Sequence, residues 1–368
     1  MIRNDKYRPS AGRGACHNDG SVRLCFLTST PLNVFLGSGT FAGITTLAAA
    51  LHGLGIEVEI LDSGAPATAV ARIEFNERLA QRDFSTFDAT IGFDLDGYLR
   101  PTGSPPHIVC LKGVIADELR FEEGEIRAGL AEQAELERRN LERADHVVAT
   151  SRYSAQCIVK YYGYTRDISV VPELIDLGRW NELFGGVPPR GEHPEFRLLT
   201  VGRFYARKRI GLLLEAVALL TGEPHARLRI VGDGLEGERW QDLAKKLDLG
   251  GRCRFLGDVS YEHLAAEYLH ADAFVFPSAQ EGFGIVLLEA MAAGLPIIAT
   301  RSAAIPEVAP HALFAESTPA GIAEVIRRLT GSEDLRRSLA AQGRERVLLS
   351  EAGRVAEQFA GLMRKLIQ

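Results

Sequence analysis

A chain of 368 residues has room for two domains of ordinary size, and 46% apolar with 24% charged residues is the balance of a globular protein. A net charge of −6 leaves no basic surplus to neutralise a nucleic-acid backbone, so nucleic acid is not an expected partner. The five cysteines, Cys16, Cys25, Cys110, Cys157 and Cys253, form no C-x-x-C pair, which sets aside a disulfide framework and a cysteine zinc site. No apolar run reaches 18 residues and residues 1–20 hold no hydrophobic leader, so the expected location is the cytoplasm.

Residues 1–20 are polar and read as a flexible segment. From there, short apolar runs rich in β-branched residues alternate with stretches of helical period, the pattern of βα units feeding parallel sheets. Strands are predicted at Leu24–Ser29, Glu57–Asp62, Ala89–Phe93, His107–Leu111, His146–Thr150 and Ile168–Val171. The acid-rich stretch from Asp117 to Asp145 reads as a solvated helix near an interface. After Trp180 the rhythm stops in FGGVPPRGEHPE, residues 184–195, where Gly, Pro and charge mark a linker. A second series has strands at Arg197–Val201, Arg227–Val231, Cys253–Leu256, Ala273–Phe276 and Pro296–Ala299, with a weaker one near Ala312–Phe314. A last helix over 351–367 carries an apolar stripe at Val355, Phe359, Leu362 and Leu366. The expected architecture is α/β: two Rossmann-like doubly wound domains, residues 21–183 and 196–350, facing each other across a cleft and joined by the linker 184–195. Domain closure is expected on the same grounds.

Ligands of open α/β sheets bind beyond the carboxyl ends of the strands, which directs attention to the residues after each one. In FVFPSAQEGFGIVLLEAMAAGLPIIAT, from Phe274 to Thr300, Glu281 lies in a strand-end loop and Glu289 lies in the helix that follows. Between them, Gly282 and Gly284 leave backbone amides open at a helix N-terminus, a ready site for phosphate. A sugar nucleotide fits this spacing, with one carboxylate for sugar hydroxyls and the other for ribose. In LLTVGRFYARKRIG, Arg203 and Lys208 stand where two cations can close on a diphosphate, and the flanking Arg207 and Arg209 read as surface charges. In the first half, Gly37, Ser38, Gly39 and Thr40 form a loop at a helix start, suited to phosphate or to an acceptor. Their glycines run G-x-G-x-x-x-G and miss the dinucleotide fingerprint. Neither G-x-S-x-G, H-E-x-x-H nor a P-loop is present, so hydrolase, zinc-protease and ATPase readings lose their support.

The set G-R-x4-K (Gly202, Arg203, Lys208), IVGDG (Ile230 to Gly234) and E-G-F-G-x4-E-A-M-A-x-G-x-P (Glu281 to Pro296) resembles the family 4 glycosyltransferases, retaining enzymes of the GT-B fold. ADHVVATSRYSAQCIVKYYGY followed by SVVPELIDLGRW is similar to the end of that family's first domain. The resemblance implies an N-terminal acceptor domain and a C-terminal donor domain, with the helix 351–367 packing back onto the former. It implies that Arg203 and Lys208 bind the donor's diphosphate, Glu281 the donor sugar and Glu289 the ribose. The amides of Phe283, Gly284, Ile285 and Val286 would complete the phosphate cradle beside Gly202 and Gly282, and Gly232-Asp233-Gly234 and Arg254-Phe255-Leu256 would lie near the nucleoside. Arg203, Lys208 and Glu281 are the catalytic candidates. Where the family often has a histidine, HIVCLKGVIADE places Lys112, which either binds acceptor or phosphate or caps the strand; His107 sits at the wrong end of that strand. Asp94-x-Asp96 reads as a strand-end turn, and no metal or other cofactor is expected.

The reaction expected is metal-independent transfer of a sugar, with retention, from a nucleoside diphosphate sugar to a hydroxyl acceptor. The rival readings are a sugar-nucleotide epimerase of the same fold and a catalytically silent sugar-nucleotide-binding protein. The acceptor class stays open, as does peripheral, non-spanning contact with a membrane.

Overall fold

The computed structural model describes residues 22–30, 39–64, 68–189, 191, 195–220 and 226–367. The predicted N-terminal segment 1–20 lies outside the described residues, as do Gly37 and Ser38. The first series of βα units builds β1 (Arg23–Thr28), β2 (Glu57–Asp62), β3 (Ala89–Phe93), β4 (His107–Leu111), β5 (His146–Ala149) and β6 (Ile168–Val170). The second builds β7 (Phe196–Val201), β8 (Ala226–Val231), β9 (Cys253–Gly257), β10 (Ala273–Phe276), β11 (Ile297–Thr300) and β12 (Leu313–Ala315). The two six-stranded sheets have orders β2-β1-β3-β4-β5-β6 and β12-β11-β10-β7-β8-β9, and every strand pairing is parallel. Central strands such as β3 and β4 are buried at every residue, which is why they read as unbroken apolar runs; β2, at an edge, is partly open along its length.

In the second sheet the chain builds outward from β7 to β9, then returns to place β10 against the other side of β7. Connections on the two sides of this switch point leave in opposite directions and open a crevice at the carboxyl ends of β7 and β10. The loops that follow these two strands are residues 202–209 and 277–284.

Two of the expected boundaries are corrected. The helix Leu177–Gly185 belongs to the second domain, not the first, because Trp180 is buried there against Tyr261 and Tyr268, with ring centroids 6.2 and 5.7 Å apart. The true crossing is therefore at residues 172–176, ahead of the Gly/Pro-rich stretch, and the described part of 184–195 lies on the second domain's surface, with His270 meeting the Pro188 carbonyl. The return crossing runs alongside it: Ile175 N–H donates to the Ser350 carbonyl at 2.9 Å and Ala352 N–H to the Ile175 carbonyl at 3.0 Å. Beyond it, the helix Ala352–Ile367 lays Val355, Phe359 and Met363 into the first domain's core with Leu24, Phe26, Ile44 and Leu51.

The acid-rich stretch is not one solvated helix. Gly124 at φ 55° breaks it into the short helix Ile115–Glu118, a tight turn and the helix Gly124–Arg143. Its inner face buries Asp117, Glu137 and Asn140 completely. Glu137 accepts from the Ile115 N–H and from the Tyr162 hydroxyl, and burial holds its carboxyl well above the usual range. His107 lies in the same layer, between the Thr90 hydroxyl and Asn140, with its ring pushed down to about 4 by burial.

Candidate functional site

The Lys208 ammonium forms an ion pair with Glu281, joining the loop after β7 to the loop after β10 across the switch point. Both side chains are largely buried and the ammonium sits 5.5 Å from the centre of the Phe276 ring. Arg203, more open, faces Asp258 at 3.6 Å. Gly284, at φ 93°, turns the chain into the helix Ile285–Ala292, a conformation that a side chain would strain. The first N–H groups of that helix have no partner within it, so they point their partial positive charge toward the Lys208–Glu281 pair's end of the sheet. Arg203, Lys208, Glu281, Gly282 and the Phe283–Val286 amides thus come from two adjoining loops of one crevice.

Glu289, one helix turn further in, accepts a 2.7 Å hydrogen bond from the Tyr268 hydroxyl. Burial pushes its carboxyl up to about 7. Tyr268, itself fully buried, is a partner that sequence reasoning missed.

The loops after β7 and β8 touch backbone to backbone. A Cβ at Gly232 would lie 2.1 Å from the Gly202 carbonyl oxygen, which only glycine avoids. Asp233 folds its carboxylate onto the Gly234 N–H at 2.7 Å and remains exposed. Phe255 does not offer its ring to the crevice: it packs edge-on against Phe204, 6.2 Å between centroids, and Leu256 packs on the opposite apolar layer. The strand's alternation sends the two side chains to opposite faces, each partly buried.

The first domain closes over the Gly282 end of the crevice. The Gly282 carbonyl accepts from the hydroxyls of Ser151 at 2.7 Å, Ser154 at 3.1 Å and Thr150 at 3.4 Å. A Cβ on Gly282 would lie 2.5 Å from the Lys112 carbonyl oxygen. Nearby, the Glu307 carboxylate accepts from the N–H groups of Arg152 and Tyr153, an anion from the second domain at the N-terminus of the helix Arg152–Tyr162.

Lys112 is neither free nor a simple strand cap. Its ammonium pairs with Glu173 at 3.0 Å, both side chains nearly buried, 5.4 Å from the centre of the Phe93 ring. Glu173 lies in the outgoing crossing and crowds Gly43, where a Cβ would come within 2.5 Å of its carboxylate. Behind Lys112 is a cavity of about 20 Å³ between Phe93, Thr150, Pro172 and Phe359, room for a single water. Gly39 and Thr40 begin the helix Gly39–Gly53. Asp94 and Asp96 form a strand-end turn whose carboxylates are used internally, Asp94 by the Lys112 N–H at 2.8 Å and Asp96 by the Ser29 hydroxyl at 2.8 Å.

Arg207 is not a surface charge. Its side chain is largely buried and pairs with Glu118 at 3.1 Å and, more distantly, with Glu122 at 3.9 Å, both from the first domain. Arg209 matches expectation more closely, donating to the Ser317 hydroxyl at an exposed edge. Glu118 and Glu122 were legible only as members of an acid-rich stretch, with no signal of what they face.

Residues 189–346 match the family model of glycosyl transferases, group 1. Over 218 residues the chain is 34% identical to a D-inositol 3-phosphate glycosyltransferase of Geodermatophilus obscurus, covering 52% of this chain and 47% of that protein. It spans about half the length, or less, of the curated relatives it matches. Among solved structures, sucrose-phosphate synthase from Thermosynechococcus elongatus superposes with a TM-score of 0.75 at 21% identity, covering 94% of this chain and 99% of that one. A structure of Anabaena HepE in complex with UDP and glucose superposes with a TM-score of 0.71 at 16% identity, covering 94% and 100%. The fold is that of GT-B glycosyltransferases: two parallel-sheet, Rossmann-like domains. No helix among the described residues is long and apolar enough to cross a membrane.

Proposed function

We propose that this chain is a retaining, metal-independent glycosyltransferase that moves a sugar from a nucleoside diphosphate sugar to a hydroxyl acceptor between its two domains, in the cytoplasm. The observation that carries the proposal is the Lys208–Glu281 pair, drawn from the two strands that flank the switch point and set beside a helix N-terminus. A diphosphate entering there would exchange for Glu281 on the Lys208 ammonium and release the carboxylate to a sugar hydroxyl. Arg203, more exposed, would close on the same phosphates, and the Phe283–Val286 amides would take the remaining oxygens. Glu289 would hold the ribose.

Catalysis in such a site is positioning plus stabilisation of the charge that develops on the departing diphosphate. Two side-chain cations and a helix N-terminus supply that stabilisation without a metal. The acceptor would attack from the face the diphosphate leaves. Lys112, held by Glu173, would line the acceptor side. The comparisons lend no support to the epimerase reading.

The proposal is tested with UDP, GDP and ADP in thermal-shift assays, with and without magnesium. A ligand at 100 times its dissociation constant stabilises by about 2.7 kcal/mol. A rise with one nucleotide, independent of magnesium and abolished in Arg203→Ala, is expected; no rise with any of them would overturn the donor site.

A further inference from the structure

We propose that Arg207 is a positioning residue that couples the first domain to the presentation of Arg203 and Lys208. The inference rests on the donor-site reading above. Three features of Arg207 point the same way. Its carbonyl accepts from the Ala279 N–H at 2.7 Å and from the Ser278 hydroxyl at 3.3 Å, so it stitches the loop after β7 to the loop after β10. Its guanidinium leaves that junction for the first domain, reaching Glu118 at 3.1 Å and Glu122 at 3.9 Å, with the Tyr205 ring beneath it at 4.7 Å. Its Nε is buried with no partner among the described residues, so the planar group is held by its two terminal nitrogens alone.

Arg207 is therefore the neighbour of Lys208 in the chain, the anchor of the Glu281 loop through its carbonyl, and the counter-charge of two carboxylates across the crevice. Without it, Glu118 and Glu122 would be left uncompensated and their charge would repel an incoming diphosphate. With it, the first domain's acidic wall draws the phosphate-binding loop into place instead of opposing the ligand.

The test compares nucleoside diphosphate and monophosphate affinity, by calorimetry with UDP, GDP and ADP and their monophosphates, in Arg207→Ala, Arg207→Lys, Glu118→Gln/Glu122→Gln and the triple variant Arg207→Ala/Glu118→Gln/Glu122→Gln. Arg207→Ala should weaken diphosphate binding tenfold or more while changing monophosphate binding little, and Arg207→Lys should recover part of the loss. The triple variant should bind more tightly than Arg207→Ala, because the carboxylates that oppose the ligand are gone. Unchanged diphosphate affinity in Arg207→Ala, or equal losses for diphosphate and monophosphate, would overturn the proposal. If Arg207→Ala does not fold, the Glu118→Gln/Glu122→Gln variant decides: a shift in the ratio of diphosphate to monophosphate affinity supports the coupling, and an unchanged ratio refutes it. Failure of the unsubstituted protein to bind any of the diphosphates would overturn the functional reading and this proposal together, which separates the two outcomes.

Discussion

Replacing Lys208 by Met keeps the apolar stem of the side chain and removes its ammonium group. Among the described residues that charge pairs with Glu281, and both groups are largely withdrawn from water. A hydrogen bond between charged groups contributes about 1.5–3 kcal/mol, so losing about 2 kcal/mol of diphosphate binding corresponds to roughly a 30-fold weaker dissociation constant. If the ammonium engages the leaving group more strongly in the transition state, turnover falls further, by about 10²–10³-fold. The same substitution strands Glu281, at a cost of about 1–3 kcal/mol in stability. Adding Glu281→Gln removes the stranded charge. The double variant Lys208→Met/Glu281→Gln should therefore recover the melting temperature without recovering ligand binding. Calorimetric titration with the nucleoside diphosphate found by thermal shift, together with denaturant melts of the four proteins in the cycle, measures both halves. Diphosphate affinity within threefold of the unsubstituted protein in folded Lys208→Met would refute the assignment, as would recovery of binding in the double variant.

Glu289 offers a pH test. Its carboxyl is pushed from 4.5 up to about 7 by burial, so between those values the native protein holds a proton that the unfolded chain releases. Stability contributed by this group is full below pH 4.5 and is lost as pH rises through 7. Glu289→Gln should raise stability to denaturant at pH 8 by about 3 kcal/mol, leave it unchanged near pH 4.5 and weaken nucleotide binding; an equal shift at both pH values would contradict this. Gly282→Ala places a Cβ 2.5 Å from the Lys112 carbonyl, and since that contact is backbone the domains must part. Small-angle scattering should show a larger radius of gyration with little change in melting temperature, and a superimposable curve would count against the contact. Phe359→Ala empties a buried position beside Phe26, at a cost of about 3–5 kcal/mol to the first domain. Denaturation followed by circular dichroism should then separate into two steps, while the tryptophan fluorescence step, which reports Trp180 and Trp240 of the second domain, stays in place; a single step shared by both signals would refute this.

The strands were legible because parallel strands buried on both faces are written as uninterrupted apolar runs, as in ATIGF and HIVCL. That Lys208 and Glu281 meet was legible because both lie just after strands that flank the switch point, so a one-dimensional rule about strand ends locates them. What escaped depends on partners far along the chain. Arg207 beside Arg209 looks like any solvated basic stretch until Glu118 and Glu122 are folded against it. Lys112 gives no hint that Glu173, 61 residues on, neutralises it. The Gly/Pro-rich stretch after Trp180 does signal irregular chain, yet only the packing of Trp180 on Tyr268 tells which domain the preceding helix joins.

The first domain is assembled from two separated pieces of chain, and this sets an order of events during synthesis. Residues up to about 174 emerge with Leu24, Phe26, Ile44 and Leu51 awaiting the helix Ala352–Ile367, which completes their apolar layer. At about 5–20 residues per second the ribosome needs on the order of 10–40 s to deliver it. The intervening domain is continuous and can close its own core within that interval. Of the two domains, the one that emerges ahead is therefore the one completed later, and its open apolar face is the surface on which a nascent-chain chaperone would be expected to act.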